Sequence, residues 1–187
     1  DAMEFGMDET EDAVSERERA SGASYRQWAE EGFITPTEGN VIDYATITGQ
    51  IVEIFDGFNV REIAFDPARA QMVKQSCTEL GLPVVDFRQG ALTMMPAIME
   101  LERAILGGEF RHGGHPVLRH CFANVVVKRN DLGHVTRFTK PKQWLSIDGA
   151  VASAMAVQRA AQGDGQMFTS ADLFTEAVER SGRFTLD

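Results

Sequence analysis

The stretch "VREIAFDPARAQMVKQSCTELGLPVVDF", residues 60–87, decides how this chain folds. Val60, Ile63, Ala64 and Phe65 fall within "VREIAF" and make it a strand. "PARAQMVKQSCTEL" reads as a helix, with Pro67 at its first position, where a missing N–H does no harm, and Gly81 as its stop. "PVVDF" is the next strand. Strand, helix and strand in that order predict a mixed α/β domain around a central sheet. Asp66, between the first strand and Pro67, is open to two readings. It can cap the helix that follows. It can also stand as a carboxylate at a strand end, where open α/β sheets bind their ligands.

Upstream, "VIDYATITGQIVEIF" sets Ile47, Ile51, Ile54 and Phe55 at helical spacing, so an amphipathic helix is expected despite its β-branched residues. "SYRQWAEEGFI" is a short helix between a Ser24 cap and a Gly32 stop, and "DETEDAVSERERASG" a solvated helix with no strong apolar face. Downstream, "ALTMMPAIMELERAILGG" is a long helix ended by Gly107 and Gly108, with Pro96 near its first turns. "HGGHPVLRHCFANVVVKRNDLGHVTRF" reads as a helix followed by a hairpin across "DLG". "SIDGAVASAMAVQRAA" is the last helix, small and apolar on one side. Residues 1–22 form an acidic N-terminal segment, 23–162 the domain, and 163–187 a tail or linker rich in glycine and polar residues.

A chain of 187 residues, 43% hydrophobic and 25% charged, has the composition of one soluble globular domain. No apolar run approaches the ~18 residues of a membrane helix, and the acidic N-terminus is not that of a signal peptide. Cys77 and Cys121 make no disulfide framework, which points to a reducing, cytoplasmic setting. The net charge of -10 is unevenly spread: residues 1–60 hold 14 acids and 3 bases, residues 61–187 hold 14 and 15. From Arg103 to Lys142 there are 8 bases against Glu109 and Asp131. A local basic stretch is what a phosphate backbone meets, so an acidic chain does not exclude DNA.

Asp148 is a second candidate acid, at the front of the last helix. A first-turn acid suits the helix dipole; the alternative is a metal ligand. Carboxylates at a strand end and a helix start suit Mg²⁺, which takes oxygen ligands and keeps several waters. Two such ions ~3.5–4 Å apart can activate water and stabilise a leaving phosphate oxygen. His112, His115, His120 and Cys121 invite a zinc site, but their spacing fits no zinc pattern. The expectation is instead that Gly113 and Gly114 let the chain turn tightly while the histidines face polar neighbours. There is no G-x-x-x-x-G-K-[ST] loop and no G-x-S-x-G elbow, and Cys77 reads as core.

Taken in order, "YRQWAEEGFI", "GNVIDY", "REIAFDP", "DFRQG", "MELERAILGGEFRHGGHPVLRHCFANVVVK" and "SIDGAVASAMAV" resemble the nuclease domain of the large terminase subunit of tailed phages, from about Tyr25 to Ala156. Prophages and gene transfer agents carry similar subunits. The resemblance implies a ribonuclease-H-like fold that cuts concatemeric double-stranded DNA during genome packaging, leaving a 3′-hydroxyl and a 5′-phosphate. It implies two ions of Mg²⁺ or Mn²⁺, with Asp66 and Asp148 at the family's metal-binding acids, so that Asp66 is a ligand and not only a cap. It implies as partners DNA, the ATPase domain of the same parent protein, the portal and the small terminase subunit. The expected location is the host cytoplasm, transiently the prohead portal, with no membrane. The family's first-strand aspartate has no counterpart here, so the expectation is a partial domain lacking its first strand. The alternative function is a catalytically incomplete DNA-binding or portal-docking module. Lys128, Arg129, Arg137, Lys140 and Lys142, around the hairpin, are the expected DNA contacts. Asp43, inside "NVIDY", is left open between a motif role and a helix start.

Overall fold

The computed structural model describes residues 4–37, 43–68, 70–133 and 135–163. In chain order its elements are α1 (Glu4–Ser21), α2 (Tyr25–Glu30), α3 (Tyr44–Gly57), β1 (Ile63–Phe65), α4 (Gln71–Glu79), β2 (Val84–Asp86), α5 (Ala91–Leu106), α6 (Pro116–Ala123), β3 (Val126–Arg129), β4 (Val135–Thr139) and α7 (Asp148–Gln162). They gather into two compact units drawn from interleaved segments. The first falls within Asp1–Ile42, His112–Lys128 and Phe138–Val151, the second within Asp43–Arg111, Arg129–Arg137 and Ala152–Asp187. The expected tail, from residue 164 on, lies outside the described residues.

The second unit is built on residues 60–87. β1 and β2 pair in parallel, with Ile63 opposite Val84, Ala64 opposite Val85 and Phe65 opposite Asp86. Parallel neighbours need a crossover connection, and α4 supplies it. The expected strand "VREIAF" pairs only over its last three residues. Its ends are fixed by Ile63 N–H donating to Pro83 O (2.8 Å) and Phe87 N–H donating to Phe65 O (2.7 Å). A two-stranded sheet this short is not stable alone, so helices must supply the apolar cover. They do: α4 buries Val73 and Cys77, α5 buries Met94, Ala97, Ile98, Leu101 and Ala104, and α7 buries Ala154 and Met155. Burial raises the pKa of the Cys77 thiol, which fits a core residue and not a nucleophile.

α5 runs unbroken through Pro96. The carbonyl that Pro96 leaves without a donor is that of Leu92, a residue 91% exposed, where water can serve it. Gly107 and Gly108 end the helix as expected, Gly108 at φ +70. Arg159 on α7 donates through Nε and Nη2 to the two oxygens of Glu62, just before β1. This two-pronged pair holds the Glu62 carboxyl below its usual pKa.

In the first unit, Trp28 is the buried centre of α2, with its ring edge-on to Tyr25 at 5.7 Å and to His120 of α6 at 5.3 Å. Trp144 donates its indole N–H to Ala20 O at the end of α1 (3.0 Å). β3 and β4 form a second two-stranded sheet, the expected hairpin, whose turn falls in the second unit, at Gly133 with φ +82. Asn130 closes that turn by accepting from Leu132 N–H and Gly133 N–H.

Candidate active site

Asp66 directly follows the last residue of β1. Its Oδ1 accepts from Ala68 N–H (3.1 Å), and its carbonyl accepts from Ala70 N–H (3.1 Å). The N-cap of α4 is Ala70, and the helix starts at Gln71. The helix expected from Pro67 onward therefore begins later. Pro67 has no N–H to give, and the Asp66 side chain captures the next one in a local turn that competes with the helix. Asp66 is thus not the cap of α4. Among the described residues its second oxygen has no protein partner.

Parallel pairing brings the carboxyl ends of β1 and β2 side by side, and a cleft of about 530 Å³ opens there, lined by Asp66, Pro67, Ala68, Arg88, Gln89 and Gly90. The neighbouring strand also ends in an acid. Asp86, however, is held in an ion pair by Lys74 of α4. Of the two strand-end acids, Asp66 is the one that lines the cleft, and among the described residues it has no cationic partner. Gln89 is steadied by its amide contact to Met155 Sδ of α7 (3.7 Å). Gly90 is the N-cap of α5 and offers no side chain to its first turn. Arg88 and Gln89 escaped notice in the sequence; the signal was their place in "DFRQG", between a strand end and a helix start, where parallel sheets present ligand groups.

Asp148 belongs to the first unit and stands, exposed, as the first residue of α7. Ser146 Oγ donates to its Oδ2. Ser146 is itself anchored, its carbonyl accepting from Asn124 Nδ2 (3.2 Å). The next residue explains how this helix start is placed. A Cβ on Gly149 would lie 2.9 Å from Leu118 Cδ1 and 3.3 Å from both Cβ and Sγ of Cys121. Only glycine lets α6 come this close, and that approach sets where the Asp148 carboxylate stands. Asp66 and Asp148 thus lie in different compact units.

Asp43 is a cap. Its carboxylate accepts from Thr46 Oγ1, Ala45 N–H (2.9 Å) and Thr46 N–H (3.3 Å) at the start of α3. The Thr46 hydroxyl, then the two backbone N–H groups, hold its carboxyl below the usual range. Among the described residues no three His, Cys, Asp or Glu side chains converge as a set of metal ligands. Gly113 and Gly114 do make the tight turn, at φ +61 and +75. Two of the histidines, expected to face polar groups, instead meet aromatic rings. His115 lies edge-on to Phe33 at 5.0 Å and His120 to Trp28, and among the described residues His115 Nδ1 and His120 Nε2 are buried without a hydrogen bond. Apolar helix packing decided their neighbours, which their spacing alone did not reveal.

The basic stretch is partly neutralised by acids within it and just before it. Arg103 pairs with Glu100 and Glu109, and Arg129 donates to Glu102 (3.0 Å) and to Gly133 O (2.8 Å). Lys142 Nζ sits 5.2 Å from the centre of the Trp144 ring. Lys128, Arg137, Lys140 and Lys142 are exposed along and after the hairpin.

A mixed α/β domain with an acid at a parallel strand end has that acid where such sheets bind their ligands. The chain belongs to the terminase large subunit endonuclease domain family, whose profile matches residues 2–164. It is 37% identical over 146 residues to "Terminase, large subunit" of Enterobacteria phage HK97, covering 77% of this chain and 29% of that protein. It is 31% identical over 168 residues to "Protein YmfN" of Escherichia coli (strain K12), covering 88% and 35%. The crystal structure of the HK97 bacteriophage large terminase superposes with a TM-score of 0.69 at 36% identity, over 79% of this chain and 31% of that one. The chain therefore spans about a third of the length of the relatives it matches. Among the described residues no helix is long and apolar enough to cross a membrane.

Proposed function

We propose that this chain is the cutting domain of a large terminase, a ribonuclease-H-like endonuclease that hydrolyses concatemeric double-stranded DNA during genome packaging. The observation that carries this reading is Asp66: a strand-end carboxylate that lines the cleft and, among the described residues, has no cationic partner, while its neighbour Asp86 is paired through Oδ1 with Lys74. Asp148, the exposed acid at the start of α7, is the second ligand.

These donors fit a hard cation. Both are carboxylates, and Mg²⁺ or Mn²⁺ is commonly held by one or two carboxylates together with water and substrate phosphate. A pair of such ions, when bound, supplies the charge that activates water and stabilises the leaving oxygen. The part of the chain itself is to hold and orient. The Ala68 N–H fixes the Asp66 carboxylate in one rotamer, and Ser146 does the same for Asp148. Lys128, Arg129, Arg137, Lys140 and Lys142 contact phosphates and set the duplex in place without reading its sequence. The ATPase domain, the portal and the small subunit are its partners in the packaging assembly, at work in the host cytoplasm and at the prohead portal.

The test is nicking of supercoiled plasmid in Mn²⁺ by this chain and by a version extended upstream, with Asp66→Asn in the extended protein as control. Cleavage abolished by Asp66→Asn supports the reading. Salt-dependent duplex binding with no cleavage from either version sinks it, and leaves a DNA-binding or portal-docking module.

A further inference from the structure

We propose that Arg88 is a phosphate-binding residue of the cleft, gripping a backbone phosphate of DNA beside the Asp66 carboxylate. This rests on the nuclease reading above and adds to it a residue and a role.

The backbone at Arg88 is fixed. The residue before it, Phe87, is 4% exposed and donates its N–H to Phe65 O, so Arg88 leaves the sheet from an anchored point next to Asp66. Its side chain is exposed and lines the same cleft as Asp66. Yet among the described residues Arg88 makes no ion pair or hydrogen bond, with Asp66 or with any other acid. The arginines elsewhere in this unit that face acids use them: Arg103 takes Glu100 and Glu109, and Arg159 takes Glu62.

An open carboxylate and an open guanidinium in one cleft ask for different ligands. The carboxylate suits a divalent cation, and that cation repels the guanidinium unless an anion lies between them. A phosphodiester is such an anion. One of its oxygens can face the cation side and another can accept from the planar fork of the guanidinium, whose geometry matches phosphate. The uncapped first turn of α5, starting at Gly90 on the same cleft, adds a favourable field for negative charge. It strengthens the site and does not by itself make one.

The experiment measures fluorescence anisotropy of a labelled duplex, in Ca²⁺ to hold it uncut, over a range of salt, together with Mn²⁺ affinity by electron paramagnetic resonance. The proteins are the full chain, Arg88→Ala, Arg88→Lys and Asp66→Asn. Because Arg88 is exposed, both of its variants should melt as the parent does. The expected result is that Arg88→Ala weakens duplex binding roughly tenfold and lowers the slope of log K against log salt by about one, as loss of one phosphate contact requires. Arg88→Lys keeps the slope and regains part of the affinity. Mn²⁺ affinity is unchanged in both Arg88 variants and lost in Asp66→Asn. Duplex binding by Arg88→Ala within about twofold of the parent, at the same salt slope, overturns the role of Arg88, whatever Asp66→Asn does. Mn²⁺ affinity surviving in Asp66→Asn overturns the nuclease reading of this cleft, and the salt slope still decides Arg88 on its own.

Discussion

The carboxyl end of β1 and the carboxyl end of β2 carry the same residue type one ladder step apart and put it to different ends. Asp86 meets Lys74, which reaches it from the crossover helix, and becomes part of the packing between α4 and the sheet. Among the described residues the Asp66 carboxylate meets only the N–H of Ala68, and it faces a cleft. An acid at a strand end is therefore not a site by virtue of position. What separates the two is whether the neighbouring helix brings a cation of its own. The helix starts show a similar division: Asp43 spends its carboxylate on three donors of α3, whereas Asp148 accepts from Ser146 through Oδ2.

The largest effect that could break this comparison is on cleavage. Asp66→Asn should lower Mn²⁺-dependent nicking by more than roughly 100-fold, beyond what loss of an outer-shell partner costs, with an unchanged melting temperature. Asp86→Asn should leave nicking within a few-fold of the parent; equal losses from both variants would erase the distinction. Next comes the close contact that places Asp148. Gly149→Val should destabilise the chain by about 2 kcal/mol, read by urea unfolding, because its side chain would press on Leu118 and Cys121. Gly149→Ala should cost less, since alanine also favours the helix.

A smaller effect belongs to the Glu62–Arg159 pair. Glu62→Gln should destabilise by about 1 kcal/mol at neutral pH, as a half-exposed two-pronged pair allows. Arg159 holds the Glu62 carboxyl below its ordinary range, so the pair contributes fully above that range. Its contribution is lost as pH falls through the lower, folded value. Melting curves of parent and Glu62→Gln should accordingly be apart at neutral pH and converge in acid. Smallest of all, Lys74→Ala should cost about 0.5 kcal/mol, typical of an exposed pair. By freeing Asp86 it should also add a weak second Mn²⁺ site, visible by electron paramagnetic resonance.

Much of this fold is legible because its punctuation is local. Asp43 before α3, Gly90 before α5, Gly107 and Gly108 after it, and Gly133 in the hairpin each act through backbone geometry within a few residues. The order β1, α4, β2 follows from the same signals. The start of α4 was misplaced because two local patterns competed at Asp66–Pro67, and the side-chain turn prevailed over the helix. The pairs Glu62–Arg159 and Arg129–Glu102, the aromatic neighbours of the histidines and the company of Arg88 were not legible. Each joins residues far apart in the chain or depends on which faces pack, and no short pattern encodes that.

The placement of the indole rings has a practical outcome. The chain has two tryptophans, Trp28 and Trp144, and both belong to the first unit. One is buried against His120 and the other half-exposed beneath Lys142, so their emission should differ in colour. Fluorescence excited selectively at tryptophan is therefore a reporter of the first unit alone, and the cleft that carries Asp66 and Arg88 contributes no indole to it. Far-ultraviolet circular dichroism sees the helices of both. A fluorescence melt that departs from the dichroism melt would show the two units coming apart in separate steps, and a tryptophan placed at Phe87 would light the silent one.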